Sequence, residues 1–177
     1  SGRGTLVSGE GRARFRRQES EKRVFAPYFA EELLGAGGDS LPVDVKVYVF
    51  YGEVGHVLLR SVGAVDDMRS IRFRAIRPNG SDLGPICADL SYDPSIPIPG
   101  NLEELLAVAR VLSRSVPRAF IRVDLYDHGG TVVFGELTPR PGGTLEYEAE
   151  FDTHLGHLWE SAQARLTNDL VAGASND

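Results

Sequence analysis

One cysteine in 177 residues cannot close an internal disulfide, which excludes a disulfide-stapled secreted scaffold and favours a reducing compartment. No apolar run approaches the ~18 residues that mark a membrane span. The opening Ser1-Gly2-Arg3-Gly4 is not followed by the apolar stretch of a signal peptide, so a cytoplasmic location is the expectation. A basic excess is also missing. Lys and Arg number 19 against 25 Asp and Glu, a formal charge of −6, and a whole-surface nucleic-acid footprint is not expected. What remains is an ordinary globular composition, 42% hydrophobic and 25% charged, long enough to bury a core as one domain or two small lobes.

Residues 1–23 are rich in glycine and in charge of both signs, the pattern of a solvated hairpin and a polar turn. The chain opens within this stretch and without Met, as the later part of a longer protein would. Tyr28 to Leu34 reads as a short strand, and Gly35 to Ser40 as a loop. From there strict alternation takes over. Val43, Val45, Val47 and Val49 alternate with Asp44, Lys46, Tyr48 and Phe50, which is a period-2 strand. Gly52-Glu53 turns it into a second strand at 54–60, and a third follows at 71–77. The stretch 85–100 holds four prolines and reads as an irregular crossing loop.

Asn101 with Glu104 resembles a capping box opening a helix near 101–115, whose stripe is Leu102, Leu105, Leu106, Ala109 and Leu112. Strands at 119–127 and 131–137 flank His128-Gly129-Gly130. A last helix near 153–171 has Asp152 as its expected N-cap and an apolar stripe that includes Trp159 as a core residue. This order lacks a βαβαβ rhythm. The expectation is an α+β fold, an antiparallel sheet with both helices packed on one face.

Arg122 and Asp124 lie two apart and share a face of their strand, as do Glu136 and Thr138. Whether the two faces coincide depends on the turn. A three-residue loop at 128–130 would place Arg122 opposite Glu136 and Asp124 opposite Phe134, with all four polar groups on one side; a two- or four-residue loop would part the carboxylates. Gly130 suits the positive-φ residue that ends a three-residue loop. Two carboxylates and a hydroxyl form a hard, oxygen-only site, matched to Mg²⁺ with a phosphate ligand rather than to zinc. Arg122 among them is a permanent cation for a phosphate or a developing oxyanion. An ordinary half-exposed hairpin carrying a surface ion pair fits the same spacing.

Arg122-Val123-Asp124-Leu125-Tyr126, then Phe134-Gly135-Glu136-Leu137-Thr138, then Asp152-Thr153-His154-Leu155-Gly156, resembles the metal-binding end of the ATP-grasp ligases. The likeness is to the teichuronopeptide-biosynthesis-type (TupA-like) branch, with Thr138 where many ATP-grasp ligases have Asn. It implies an ATP-dependent carboxylate–amine ligase working through an acyl phosphate, with ATP and Mg²⁺ as cofactors. Asp124, Glu136 and Thr138 would be metal ligands. Arg122 would be the catalytic cation, helped by backbone groups near Gly142 and Gly143. The same resemblance makes Ala30 to Leu34 the adenine hinge: Glu31 would accept from the adenine amino group, and the Glu32 and Leu34 backbones would take the ring edge. Asp44 would hold the ribose hydroxyls and Lys46 would face phosphate or substrate. Ser1 to Thr5 looks like the tail of a Gly-rich phosphate loop.

On this reading 1–34 is a remnant of the first ATP lobe and 35–177 is the second lobe carrying the metal site. The phosphate-holding lysines of the first lobe lie in a missing N-terminal region, so 1–177 alone is expected not to turn over. The implied partners are small-molecule or peptide carboxylates and amines. No nucleic acid is implied, and a homodimer is compatible with the reading. Two alternatives stand beside the ligase: a nucleotide-binding or partner module without catalysis, and an ATP-grasp factor of cell-surface polymer assembly. Asp152, His154 and His157 have metal-like spacing but read as a solvated helix start, since zinc needs four ligands. Cys87 lacks a neighbouring His and is expected to be buried.

Overall fold

The structure, a computed structural model, describes residues 41–63, 68–141 and 145–174. The expected strand at 28–34, the proposed hinge residues Glu31, Glu32 and Leu34, the boundary at residue 34, and Gly142 and Gly143 lie outside the described residues.

Five strands form one sheet in the order β3-β2-β1-β4-β5, every neighbouring pair antiparallel. They are β1 (Asp44–Phe50), β2 (Glu53–Val62), β3 (Ile71–Ile76), β4 (Ile121–His128) and β5 (Thr131–Thr138). Helix α1 (Leu102–Arg114) crosses between β3 and β4, and α2 (Ala149–Ala174) follows β5. The α+β class and the antiparallel sheet therefore stand. No helix among the described residues is long and apolar enough to cross a membrane.

The helices do not share a face. β1 is apolar on both sides over its second half, so it is covered twice. Val45, Val47 and Val49 pack with Leu105, Leu106 and Ala109 of α1 on one side, with Val123 and Leu125 from β4. Phe50 and Tyr51 pack with Leu155, Ala162 and Leu166 of α2 on the other. Fully burying one Val or Phe is worth roughly 1.5–3 kcal/mol, and β1 supplies three valines to one layer and Tyr48 and Phe50 to the other. Helix α2 covers only the Tyr48–Phe50 end of its face. Beyond it, Asp44 and Lys46 meet neither of the two described helices, and the charged residues described below gather there.

Local expectations shift in four places. Asn101 caps nothing with its side chain; Nδ2 donates instead to the Gly130 carbonyl at 3.2 Å, tying the start of α1 to the β4–β5 turn. Helix α2 begins three residues before Asp152, so Asp152 lies in its first turn and its N–H donates to the Glu148 carbonyl at 2.9 Å. Trp159 is half exposed and not core, because the buried stripe runs through Leu155, Ala162 and Leu166. The β1–β2 turn is Tyr51-Gly52, both at positive φ, and Glu53 already starts β2. Tyr51 is held in that conformation by its hydroxyl donating to Asp169 at 3.0 Å and by the Arg114 guanidinium 5.2 Å over its ring. Cys87 is buried, as its surroundings in sequence implied.

The irregular stretch before α1 closes the sheet edge. Phe73 donates to Ser91 O and accepts from Asp93 N, so the outer side of β3 is paired instead of open. Asp82 staples this stretch, accepting from Arg74 Nε at 2.7 Å, Gly84 N at 2.7 Å and Tyr92 Oη at 2.9 Å. Burial opposes its charge, but these donors outweigh it and hold the carboxyl below the usual carboxylate range.

A candidate metal–nucleotide site on the charged half of the sheet

The β4–β5 turn contains two residues, not three. Gly129 and Gly130 are both at positive φ, as a tight hairpin turn demands, and His128 pairs with Thr131. Continued without interruption, that register would put Asp124 and Glu136 on opposite faces. A β-bulge between Asp124 and Leu125 restores them: Leu125 pairs with Phe134, Gly135 is passed over, and Asp124 pairs with Glu136. Arg122 consequently faces Thr138, where a three-residue loop would have set Glu136. The bulge needs glycine. A Cβ on Gly135 would sit 2.9 Å from the Asp124 carbonyl oxygen and 3.1 Å from the Tyr126 ring. Gly135→Ala is therefore expected to cost about 1–3 kcal/mol and to swing Glu136 away from Asp124. Urea denaturation checks the first effect; unchanged stability would mean that the bulge tolerates a side chain.

A second bulge, at Gly55 in β2, does the same for the other edge. Phe50 pairs with Glu53, but beyond the bulge Tyr48 pairs with His56 and Asp44 with Arg60. The two bulges align three cross-strand rows on the face that carries Tyr48, the first of them partly beneath the start of α2. One row runs His56, Tyr48, Arg122, Thr138; the next Leu58, Lys46, Asp124, Glu136; the third Arg60, Asp44, Tyr126, Val133.

Asp124 is the centre of this face, with only 4% of its side chain exposed. Arg122 forks onto it, Nε to Oδ1 at 2.6 Å and Nη2 to Oδ2 at 2.7 Å. The same Nη2 reaches Glu136 Oε1 and Thr138 Oγ1, each at 3.0 Å, and Thr138 donates to Glu136 at 2.9 Å. Lys46 Nζ bridges Asp124 Oδ2 and Asp44 Oδ2, both at 2.6 Å, and Arg60 Nη1 stands 3.6 Å from that Asp44 oxygen. Asp44 Oδ1 is buried with no hydrogen-bond partner among the described residues. Glu136, with 62% of its side chain exposed, forms the rim.

The electrostatics keep the arginine charged. Burial works against Arg122, but the hydrogen bonds and charge of Asp124, with Tyr48 and Glu136, outweigh it and raise its pKa above the usual guanidinium value. Behind it, Tyr48 stacks on His56 with ring centroids 4.1 Å apart. Burial, and then the charge of His154, pushes His56 down to about 3, so this ring is neutral at physiological pH.

Of the residues singled out in the sequence, Asp44, Lys46, Arg122, Asp124, Glu136 and Thr138 thus form one contiguous network. Arg60 and Tyr48 were not anticipated. The lone glycine inside the β2 pattern was the available signal, because a glycine there marks a bulge and a bulge changes which residues face each other. His154 and His157 gather no metal set: among the described residues no group of three or more His, Cys, Asp or Glu side chains is arranged to hold an ion, and His157 lies 3.7 Å from Glu160.

Compared with known families, residues 14–160 match the family model described as TupA-like ATPgrasp. The chain belongs to the TupA-like ATP-grasp family. Neither a curated protein nor a solved structure gave a match. The match spans all five strands, the whole charged network and the first part of α2. Membership fixes the ATP-grasp fold, and the lobe described here is the part of it that carries this network.

Proposed function

We propose that this chain supplies the nucleotide- and metal-binding lobe of an ATP-dependent carboxylate–amine ligase. The observation that carries the reading is the pairing of Asp124 with Glu136 across a glycine bulge, beside Thr138 and within reach of two cations, Lys46 and Arg122. The donors fit magnesium. They are all hard oxygens, and too few to hold the ion alone, as expected where phosphate oxygens complete the shell. Asp124, Glu136 and Thr138 would hold the ion, and Mg²⁺ bound there neutralises charge on the transferring phosphoryl group.

The chain's own residues do the rest. Asp44 Oδ1, buried and without a hydrogen-bond partner among the described residues, is an acceptor that a ribose hydroxyl would satisfy. Lys46 offers an ammonium to phosphate. Arg122, charged at every working pH, stabilises the oxyanion that develops when an amine attacks the acyl phosphate. No protein nucleophile is needed. The proposed adenine contacts are Glu31, Glu32 and Leu34, from the hinge upstream of β1.

The test uses the intact protein with MgATP and a panel of carboxylates and amines. Sustained ADP release is expected only when an acid and an amine are both present, the acid alone giving at most one ADP per site as the acyl phosphate forms. ADP formation with neither would overturn the ligase reading, and nucleotide binding without turnover on any pair would identify a binding module instead.

A further inference from the structure

Among the described residues, the charged face is neutral. Asp44, Asp124 and Glu136 carry three negative charges, and Lys46, Arg60 and Arg122 carry three positive ones, each within 4 Å of an opposite partner. Both oxygens of Asp124 are engaged, Oδ1 by Arg122 and Oδ2 by Arg122 and Lys46 together. Among the described residues, a divalent cation approaching Asp124 meets a carboxylate whose charge is already compensated and whose two oxygens both carry donors.

The two cations on Asp124 are not equally fixed. Arg122 is locked by a bidentate fork and two further acceptors, and that geometry resists displacement. Lys46 holds Asp124 with one ammonium on a flexible four-carbon stem, and it has Asp44 as a second carboxylate at the same 2.6 Å. It can leave Asp124 without losing every partner.

We infer that Lys46 is the resident counter-ion of the metal ligand Asp124, and that metal and nucleotide bind as one unit because each relieves the other's obstacle. The metal takes Asp124 Oδ2 from Lys46, and the released ammonium turns to the triphosphate. With both present, the metal lies against Asp124 and the Lys46 ammonium against phosphate; with the metal alone, Lys46 stands beside it as a like charge. This rests on the metal–nucleotide reading above and adds to it a coupling between the two ligands, together with a positioning role for Lys46 distinct from simple phosphate binding.

The two roles predict opposite signs for one substitution. Lys46→Met removes the competing charge, so the affinity for Mn²⁺ in the absence of nucleotide should rise about tenfold or more, the scale of losing one unit charge a few ångströms from a divalent ion. Affinity for MgATP should fall by at least a similar factor. Mn²⁺ electron paramagnetic resonance and titration calorimetry on the intact protein read the two separately, and neither needs turnover. Lys46→Gln keeps a donor for the two carboxylates without the charge, guards against a misfolded Met variant, and must shift both affinities the same way. If nucleotide-free Mn²⁺ affinity is unchanged or weaker in the variants while the wild type binds Mn²⁺ with ATP, Lys46 is no counter-ion and this inference falls alone. If the wild type binds no Mn²⁺ even with ATP, the metal reading falls and takes the inference with it.

Discussion

Glu136→Gln should lower magnesium-dependent turnover on the order of 10²-fold or more while leaving the melting temperature nearly unchanged. The two effects separate because of where the side chain sits. With 62% of its side chain exposed, Glu136 makes one ion pair at 3.0 Å and accepts one hydroxyl at 2.9 Å. Pairs this exposed contribute about 0–1 kcal/mol to folding. Its charge matters where charge develops. Glutamine keeps the shape and a donor–acceptor end but removes the negative charge that holds a divalent ion, and that loss falls on the transition state. Turnover with melting followed on the same preparations checks it. Equal activity at matched folding would remove Glu136 from the metal site.

Arg122→Leu should have the opposite balance, with a large loss of stability accompanying the loss of activity. Arg122 donates to Asp124 twice, and Asp124 is almost wholly buried. Without the guanidinium, Lys46 is the one cation among the described residues left to compensate that carboxylate. Breaking one side of a buried pair costs about 3–5 kcal/mol when nothing replaces it. The remaining lysine brings the expectation to about 2–4 kcal/mol, on the same basis. Arg122→Lys separates charge from geometry. It returns a cation but not the fork, so it should recover part of the stability and little of the turnover. Denaturant midpoints for the three proteins decide it. A leucine variant as stable as the wild type would mean that Asp124 does not depend on Arg122.

Much of this face was legible in the sequence, and its limits have a clear physical cause. Alternation in Asp44 to Phe50 separates a valine side from a mixed one, and Arg122 with Asp124 two apart must share a face. Alternation also assumes that every residue counts. Gly55 and Gly135 do not, and each shifts the register by one. The three-residue loop anticipated at 128–130 was the simplest way to bring Asp124 and Glu136 together. The chain reaches the same juxtaposition with a tighter turn and a compensating bulge, so the shared face was right while the partners changed. Arg60 stayed hidden because a straight hairpin through Tyr51-Gly52 would pair Asp44 with Leu59 and send Arg60 to the valine side. The helices were placed together because an amphipathic stripe states how much surface a helix buries, not against which side of a sheet. The aromatic residues Tyr48 and Phe50 decide that, by giving α2 a surface of its own.

The central claim is that the row Lys46, Asp124, Glu136 is where metal and nucleotide meet. Its most direct test is a crystal of the intact protein grown with Mn²⁺ and a non-hydrolysable ATP analogue, read by anomalous diffraction. The account predicts a manganese peak within coordinating distance of Asp124 and Glu136, with the phosphates beside it and the Lys46 ammonium moved off Asp124. A manganese–nucleotide complex bound elsewhere on the protein, with Lys46 still bridging Asp44 and Asp124, would contradict it.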